Sequence, residues 1–480
     1  MPRALTRLAG PALAAILLAG SAPSAAHAQD SGARVAGAER APASLDAAWN
    51  AVSRTYWDTV FVQQRWRVAY DSIRAALIGG GPVDPEAERR AIRRLIAVPG
   101  QSHFTLIPGS AVPVPKPARA PRVPAAPRGA PTGTAADSAN VPDAHETTVD
   151  AAPGSVGLAL RSIDDTVVAW RVTPGGAAER AGIRPGDAIV AVDTVRLAAL
   201  RAEVARRSGA DTTTVQRLIT TYALSQLGGP VGDTVRVTAR DASGAEREVA
   251  LVRTPIEGRL TQMGNLPPIV VSATREPLPL GDGRTATLIE FSAWFPAIAP
   301  QLDEYLFASR GTPGLVVDLR GNPGGVIGML AGVSGHMLDT TVALGTMHGR
   351  GATIRFVANP RTVDRGGVRV GTITAPIAIL VDEFTGSTSE FFSAGMQALG
   401  RARIFGSVSA GQSLPALMSR LPSGDVLMHA IADHEDAAGR RVEGAGVHPD
   451  ELVPLRRVDL RSGRDAALEA ARTWLRSQHP

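Results

Sequence analysis

One serine in this sequence lies where the chain is predicted to turn from a strand into a helix. The run Ile377–Val381 is continuously apolar, as in a buried strand, and Phe392, Met396 and Leu399 then recur at the spacing of one helix face. Ser387, between them, would lie at a helix N-terminus, where free backbone N–H groups and the positive end of the helix dipole converge. A serine in that position can serve as an acyl-transfer nucleophile beside a ready-made oxyanion donor.

The same stretch also has a purely structural interpretation. Ser387 or Ser389 can act as an N-cap, with Glu390 completing a capping box from Ser387. The local sequence does not separate a nucleophile from a cap, and the two roles are compatible. The choice therefore depends on whether the chain supplies a base elsewhere.

A candidate base follows a predicted helix terminator. His103 stands in Gln101-Ser102-His103-Phe104, directly after Pro99-Gly100. Imidazole titrates near neutral pH and suits general-base work, although a lone histidine is more often an ordinary surface or core residue. Lys116 is the only lysine in the chain and lies in a Pro-rich stretch, so a buried lysine base is nearly excluded.

The composition excludes several classes of site. The net charge is +5 over 480 residues and aromatic residues make up 4%, which argues against a nucleic-acid partner. The absence of cysteine excludes disulfides, lipid-anchor cysteines and thiolate metal sites. His434 has acidic neighbours, but we expect a solvated turn there and a structural role for His448. We assign no metal and no cofactor.

The first 28 residues have the pattern of a secretory signal. Arg3 and Arg7 precede an apolar run, Leu8 to Leu18, and Ala26-His27-Ala28 suits cleavage. The apolar run is too short for an ordinary membrane span. We therefore expect an exported protein, periplasmic or extracellular, whose mature chain has no transmembrane anchor.

Three folded regions are predicted after a disordered leader (29–43). Residues 44–108 have helical spacing and form a small helical domain that carries Ser102 and His103; Asp84-Pro85 opens its third helix. Residues 109–150 are rich in Pro and Ala and have no period, which indicates a linker. A predicted core spans 265–458, followed by a C-terminal helix over 459–480.

The region 151–256 resembles a PDZ domain of the bacterial protease type. The resemblance rests on AAERAGIRPGDAIVAVD (177–193) and on strands predicted around it, with an extra helical stretch near 197–227. PDZ domains add a peptide as a strand at a sheet edge and hold its carboxylate in a glycine loop. That loop would comprise Val156, Gly157, Leu158 and Ala159. A domain that only packs against its neighbour is the alternative.

The core region alternates strand and helix patterns. Near-continuous apolar runs, typical of a sheet covered on both faces, lie at 286–291, 315–319 and 377–381, with helical patterns at 299–307 and 329–337. The fold class is therefore multidomain α+β: a helical domain, a PDZ-like β domain and an α/β core. Gly324 and Gly325 follow the second strand, where either a backbone oxyanion donor or a plain loop fits.

Three motifs in order resemble the C-terminal processing peptidases and their tricorn-like relatives, which are serine peptidases on a crotonase-like (ClpP-like) core. They are GLVVDLRGNPGG (314–325), VDEFTGSTSEFFSAGMQALGRARIFG (381–406) and VEGAGVHPD (442–450). In the processing branch, a lysine about 25 residues after the serine is the base, but Gly411-Gln412 stands there. The tricorn-like branch uses a serine–histidine pair and a late glutamate, which match Ser102, His103 and Glu443.

The resemblance implies a tetrad. Ser387 would attack the scissile carbonyl, His103 would take its proton, and Glu443 would orient the imidazole through Ser102. The backbone of Thr388 and of Gly324 or Gly325 would stabilise the oxyanion. The expected function is an exported serine endopeptidase acting on peptides, unfolded chains or proteins recognised at their C-terminus. An inactive PDZ-containing scaffold and another acyl transfer on the same core are the alternatives.

Overall fold

The computed structural model describes residues 42–80, 83–109, 153–208, 211–262 and 268–478. The predicted signal (1–28), almost all of the predicted leader and the predicted linker with Lys116 lie outside these ranges. Within them, no helix is both long and apolar enough to cross a membrane. The predicted architecture of mixed, multidomain α and β structure is confirmed.

The N-terminal region is helical, as its spacing predicts. Asp84 caps its last helix by accepting a hydrogen bond from Ala87 N, and Pro85 occupies the first helical position. The apolar faces of the helices bury Leu45, Trp66 and Ile92 completely. The elements are α1 (Ala43–Thr55), α2 (Thr59–Phe61), a π-helical turn (Val62–Trp66), α3 (Arg67–Gly79), α4 (Pro85–Ile96) and the short strand β1 (Thr105–Ile107).

The second region is a twisted antiparallel sheet in the order β3-β4-β5-β8-β9, covered by helices. Strand β3 lies at its edge, so one side of that strand has no partner within the described sheet. The elements are β2 (Pro153–Ser155), β3 (Leu158–Ile163), β4 (Thr166–Val172), α5 (Ala177–Arg180), β5 (Ala188–Val192), β6 (Val195–Arg196), α6 (Leu197–Ser208), α7 (Thr212–Leu227), β7 (Gly229–Pro230), β8 (Thr234–Arg240), β9 (Glu246–Val252) and β10 (Thr254–Pro255).

The core contains the three buried strands expected from the apolar runs. They are adjacent and parallel in a six-stranded sheet, in which they carry the labels β14, β15 and β18. The elements are β11 (Arg259–Thr261), β12 (Ile269–Val271), β13 (Ala273–Pro279), β14 (Thr285–Phe291), a 3-10 helix (Pro296–Ile298), α8 (Ala299–Ala308), β15 (Leu315–Asp318), α9 (Met329–Ser334), β16 (Val342–Gly349), β17 (Ala352–Ala358), β18 (Ile377–Val381), α10 (Thr388–Ala398), β19 (Ala402–Gly406), β20 (Ala416–Arg420), β21 (Val426–Ala430), β22 (Ala432–Asp436) and β23 (Glu451–Leu452).

The order in the core sheet is β13-β14-β15-β18-β19-β23, and every pair after β13-β14 is parallel. The carboxyl ends of β15 and β18 therefore meet at one edge, where ligands bind in open α/β sheets. The predicted single C-terminal helix is instead two, α11 (Arg457–Arg461) and α12 (Ala466–Ser477). Gly463, with φ +71°, stands in the break between them.

The helical region docks on the core through a strand and an ion pair. Strand β1 pairs antiparallel with β21, in a small sheet that also contains β20. Arg89 donates from Nε and Nη2 to Asp425, at 2.8 and 3.0 Å, and the Asp425 side chain is fully buried. This docking places residues 101–104, which immediately precede β1, against the core.

The PDZ-like region contacts the core through a buried ion pair. Arg161 on β3 donates from Nε to Asp382 Oδ2 at 2.7 Å, and both side chains are less than a tenth exposed. The other oxygen, Oδ1, accepts from Gly321 N at 2.8 Å and from Phe384 N at 3.0 Å. One carboxylate thus connects the PDZ-like sheet to the turns after β15 and β18.

Candidate active site

Ser387 occupies a strained turn between β18 and α10. Its backbone has φ 50° and ψ −121°, a conformation that residues other than glycine rarely adopt. Two acceptors hold its N–H: Gln412 O at 2.9 Å and Glu390 Oε2 at 3.1 Å. Ser387 is half-buried and so remains accessible, whereas the next three residues of α10 are buried.

Glu390 organises the loop that faces this turn. Its carboxylate is fully buried and, besides Ser387 N, accepts from Ser409 Oγ, Gly411 N and Gln412 N at 2.5 to 2.9 Å. Burial is the largest cause that raises the pKa of Glu390, to about 7, and the four donors oppose it. The local capping interaction expected of Glu390 is therefore part of a wider network around residues 409–412.

The turn after β15 comes close to Ser387. A Cβ built on Gly324 would lie 2.6 Å from Ser387 Cβ and 2.8 Å from Thr388 N, so only a glycine allows this approach. Gly324 N–H itself donates to Asn322 Oδ1 at 3.0 Å. No hydrogen bond of the described residues uses the N–H of Gly325 or of Thr388. Those two donors are free to meet a ligand.

Ser102, His103 and Glu443 form one connected unit. Ser102 N donates to Glu443 Oε1 at 2.8 Å, and Ser102 Oγ donates to Oε2 at 2.9 Å. The same Ser102 Oγ lies 2.7 Å from His103 Nδ1. Ser413 N also donates to Glu443 Oε2, at 2.9 Å.

These bonds fix the tautomer of the imidazole. An ionised carboxylate only accepts, so the Ser102 hydroxyl proton points to Glu443 and the hydroxyl oxygen must accept from His103 Nδ1–H. Nε2 then carries a lone pair and can take a proton. If Glu443 is protonated, the direction of these hydrogen bonds can reverse. Glu443 then donates to Ser102 Oγ, Ser102 donates to His103 Nδ1, and the imidazole proton is on Nε2.

Burial affects both titrating groups of the unit. The pKa of Glu443 is raised, mainly by burial, against hydrogen bonds from Ser102 and Ser413 that lower it. Burial lowers the pKa of His103 to about 4. Near neutral pH the imidazole is therefore neutral, as a base must be.

One loop connects the two halves of the site. Gln412 O accepts from Ser387 N, and the next residue, Ser413, donates to Glu443. Because these two bonds share one peptide unit, Ser387 N and the Glu443 carboxylate are at most about 8 Å apart. Among the described residues there is no direct hydrogen bond between His103 and Ser387.

The predicted carboxylate loop of the PDZ-like region precedes the free edge of β3. Gly157 has φ +77°, and its N–H donates to Ser155 Oγ at 3.1 Å. Val156 and Leu158 are buried, and Ala159 is partly exposed within β3. Helix α7 of the same region reaches the active-site loop, because Arg217 Nη1 donates to Ala410 O at 2.6 Å.

The expectation of a solvated turn at His434 is wrong. His434 lies within β22, is fully buried and stacks on Phe391. Strand β22 pairs with β16, and Phe391 of helix α10 covers the histidine ring on the face of this sheet. In the part of the chain that the structure describes, no three histidine or acidic side chains are placed to hold a metal ion.

The sequence patterns did not point to two parts of the site. The 409–413 loop acts mainly through backbone atoms, and its one signal was the Gly411-Gln412 pair at the spacing of the missing lysine. Asn322 shapes the glycine turn: its Nδ2 donates to Phe291 O, and its backbone O accepts from Gly386 N. Nothing in residue type alone distinguishes this asparagine from any other turn asparagine.

Two family models match the chain. Residues 288–453 match "Peptidase family S41", and residues 170–210 match a PDZ domain. The first range contains Ser387, Glu443 and the 409–413 loop, whereas Ser102 and His103 lie outside it.

Curated relatives are processing peptidases. A carboxyl-terminal-processing protease of Picosynechococcus sp. is 25% identical over 285 residues, 58% of this chain and 59% of that relative. The chloroplastic C-terminal processing peptidase of Tetradesmus obliquus is 26% identical over 407 residues, 84% of this chain and 75% of that relative. The aligned part spans only 50 to 59% of the length of the first three relatives.

Solved structures share the fold. The photosystem II D1 C-terminal processing protease aligns with a TM-score of 0.52 at 22% identity and covers 89% of this chain and 98% of its own. Mature CPAF aligns with a TM-score of 0.56 at 13% identity, covering 92% and 98%. Because both sequence identities are below 25%, these alignments show a shared fold and no more.

Proposed function

The chain carries a peptidase family S41 domain and a PDZ domain, and on that premise we propose that it is an exported serine endopeptidase. Its substrates would be peptides, unfolded chains or proteins recognised at their C-terminus. The observation that carries the proposal is the Ser102 hydroxyl, which bridges Glu443 and His103 Nδ1 next to the loop that holds Ser387.

In the proposed reaction, Ser387 Oγ attacks the scissile carbonyl and His103 Nε2 accepts its proton. His103 then donates this proton to the leaving amine, and a water molecule, deprotonated in the same way, hydrolyses the acyl-enzyme. Glu443 stabilises the imidazolium through Ser102. The gap between His103 and Ser387 would close on substrate binding, as is common when catalytic bonds are loose in the free enzyme.

The oxyanion would be held by the N–H groups of Thr388 and Gly325. Neither N–H donates to another of the described residues, whereas the N–H of Gly324 donates to Asn322. Each such donor contributes about 3 to 4 kcal/mol to lowering the barrier. Gly324 would contribute by its lack of a side chain, which lets the turn approach Ser387.

The PDZ-like region would capture an extended substrate. The free edge of β3 suits strand addition, and the loop Val156, Gly157, Leu158 and Ala159 would receive a C-terminal carboxylate. Arg161 on β3 and Arg217 on α7 both touch the turns around Ser387. A peptide bound there would therefore lie on a region in direct contact with the active site.

A fluorophosphonate probe and an unstructured protein substrate test the proposal together. Wild-type protein should label and cleave, whereas Ser387→Ala should do neither and His103→Ala should lose cleavage, with folding unchanged. Ser393→Ala is the matched control, because Ser393 Oγ in α10 is buried without a hydrogen-bond partner. Peptide binding without labelling would instead support an inactive scaffold, and turnover of esters but not peptides would support another acyl transfer.

A further inference from the structure

The turn that carries the proposed base is strained. His103 has φ 60°, in the left-handed region that suits glycine, and Gly100 at the start of the turn has φ 61°. A histidine keeps this conformation only where the surroundings fix it. Since no hydrogen bond connects His103 to Ser387, the position of the imidazole depends on whatever holds this turn.

Glu443 holds one side of the turn, through Ser102 N and Oγ. The other side is held from the end of α1 by Tyr56. Its hydroxyl donates to Gln101 Oε1 at 2.7 Å, and its ring lies 5.9 Å from that of Phe104. Tyr56 thus contacts the residues on both sides of the Ser102-His103 pair.

Tyr56 is itself firmly placed. It is 3% exposed, its backbone N–H donates to Val52 O, and its ring packs against Trp57 and Phe61 at 4.0 and 5.4 Å. Burial, the largest cause, raises the pKa of the phenol, so the hydroxyl stays protonated and can donate. The nearby charges of Asp58, Asp433 and Glu443 act in the same direction, and that of Arg441 opposes them.

We propose that Tyr56 and Gln101 are a positioning pair that fixes the strained Ser102-His103 turn and so holds the imidazole ready for Ser387. This inference rests on the proposed function and adds residues that do not touch the substrate. Without the Tyr56 hydroxyl, the turn loses its side-chain hydrogen bond to the end of α1 and keeps the hydrogen bonds to Glu443. The backbone at His103 can then relax to a negative φ, which turns the imidazole away from the nucleophile.

Tyr56→Phe tests the pair because it keeps the ring and removes only the hydroxyl. We expect kcat for a peptide substrate and the rate of fluorophosphonate labelling to fall about tenfold, with KM within about twofold. Tyr70→Phe is the matched control: the Tyr70 hydroxyl donates to Asp46 at 2.7 Å in the same helical region, remote from the turn. This control should leave both rates unchanged.

The double variant Tyr56→Phe/Gln101→Leu should lose no more activity than the more impaired single variant, because both changes remove the same bond. Unchanged kcat in Tyr56→Phe with a lower melting temperature would overturn the inference and leave the pair a packing contact. If Tyr56→Phe and Tyr70→Phe lower kcat by the same factor, the inference is also overturned. A wild-type protein that neither labels nor cleaves would overturn the proposed function, and this inference with it.

Discussion

Replacing Glu443 by glutamine is expected to slow catalysis and to change its pH dependence. The carboxylate accepts three hydrogen bonds, two from Ser102 and one from Ser413. A glutamine amide offers one oxygen and one NH2 group, so in either orientation its NH2 faces at least one of these donors. The charge that would stabilise the imidazolium of His103 is lost as well.

The size of the effect follows from these contacts. Only stabilisation of the imidazolium that forms in the transition state changes the barrier, and losing a hydrogen bond to a charged acceptor there costs about 3 kcal/mol, or roughly a hundredfold in kcat. The pH profile gives the sharper test. The proposed mechanism requires ionised Glu443, whose pKa is raised by burial, so the wild-type rate should fall with decreasing pH as this group gains a proton.

In Glu443→Gln there is no carboxyl to titrate at this position. The fall in rate at low pH should then report the protonation of His103. Burial lowers the pKa of His103 to about 4, so the limb of kcat/KM should move to lower pH. Initial rates from pH 4 to 9 in buffers of constant ionic strength would measure it. Glu390→Gln is the control, since burial raises the pKa of Glu390 to about 7. If the low-pH fall in kcat/KM shifts in Glu390→Gln and not in Glu443→Gln, then Glu443 is not the group whose protonation limits the rate.

Two further variants test the backbone approach at Ser387 and the contact between regions. Gly324→Ala should abolish activity, because its Cβ would lie 2.6 Å from Ser387 Cβ and the position has φ +96°. Loss of labelling by the fluorophosphonate probe with an unchanged thermal melt would show that the site is lost and the fold is kept. Asp382→Asn should lower the free energy of unfolding by about 3 to 5 kcal/mol, since it removes the carboxylate that is paired with the buried Arg161 guanidinium. Urea denaturation measures this, and a change below about 1 kcal/mol would contradict it.

Three strands and two helices of the core were predictable because their signals are local. Continuous apolar runs identified β14, β15 and β18, and helical spacing identified α8 and α10. The burial of His434 was not predictable from its acidic neighbours. In β22, alternate residues face opposite sides, so the buried histidine and aspartate side chains lie on one face while their polar neighbours lie on the other.

The residues of the candidate site and the contact of Glu443 with His103 through Ser102 could be expected from the motifs, but the loop that connects this unit to Ser387 could not. Ser387, His103 and Glu443 could be named from motifs, since each stands in a distinctive short sequence. The bonds that connect Ser387 to Glu443 use backbone atoms of Gln412 and Ser413, and any residue except proline could supply these atoms. Backbone contacts between distant segments leave no signature in composition or spacing.

The site is assembled from parts of the chain that lie far apart. Ser102 and His103 come from the helical region, and Ser387 and Glu443 come from the core. The pairing of β1 with β21 and the ion pair of Arg89 with the buried Asp425 bring the two regions together. The proposed base and the proposed nucleophile therefore belong to one site only when the helical region is docked. A core that folded without that region would keep Ser387 and the N–H groups of Gly325 and Thr388 but would lack His103, the proposed base.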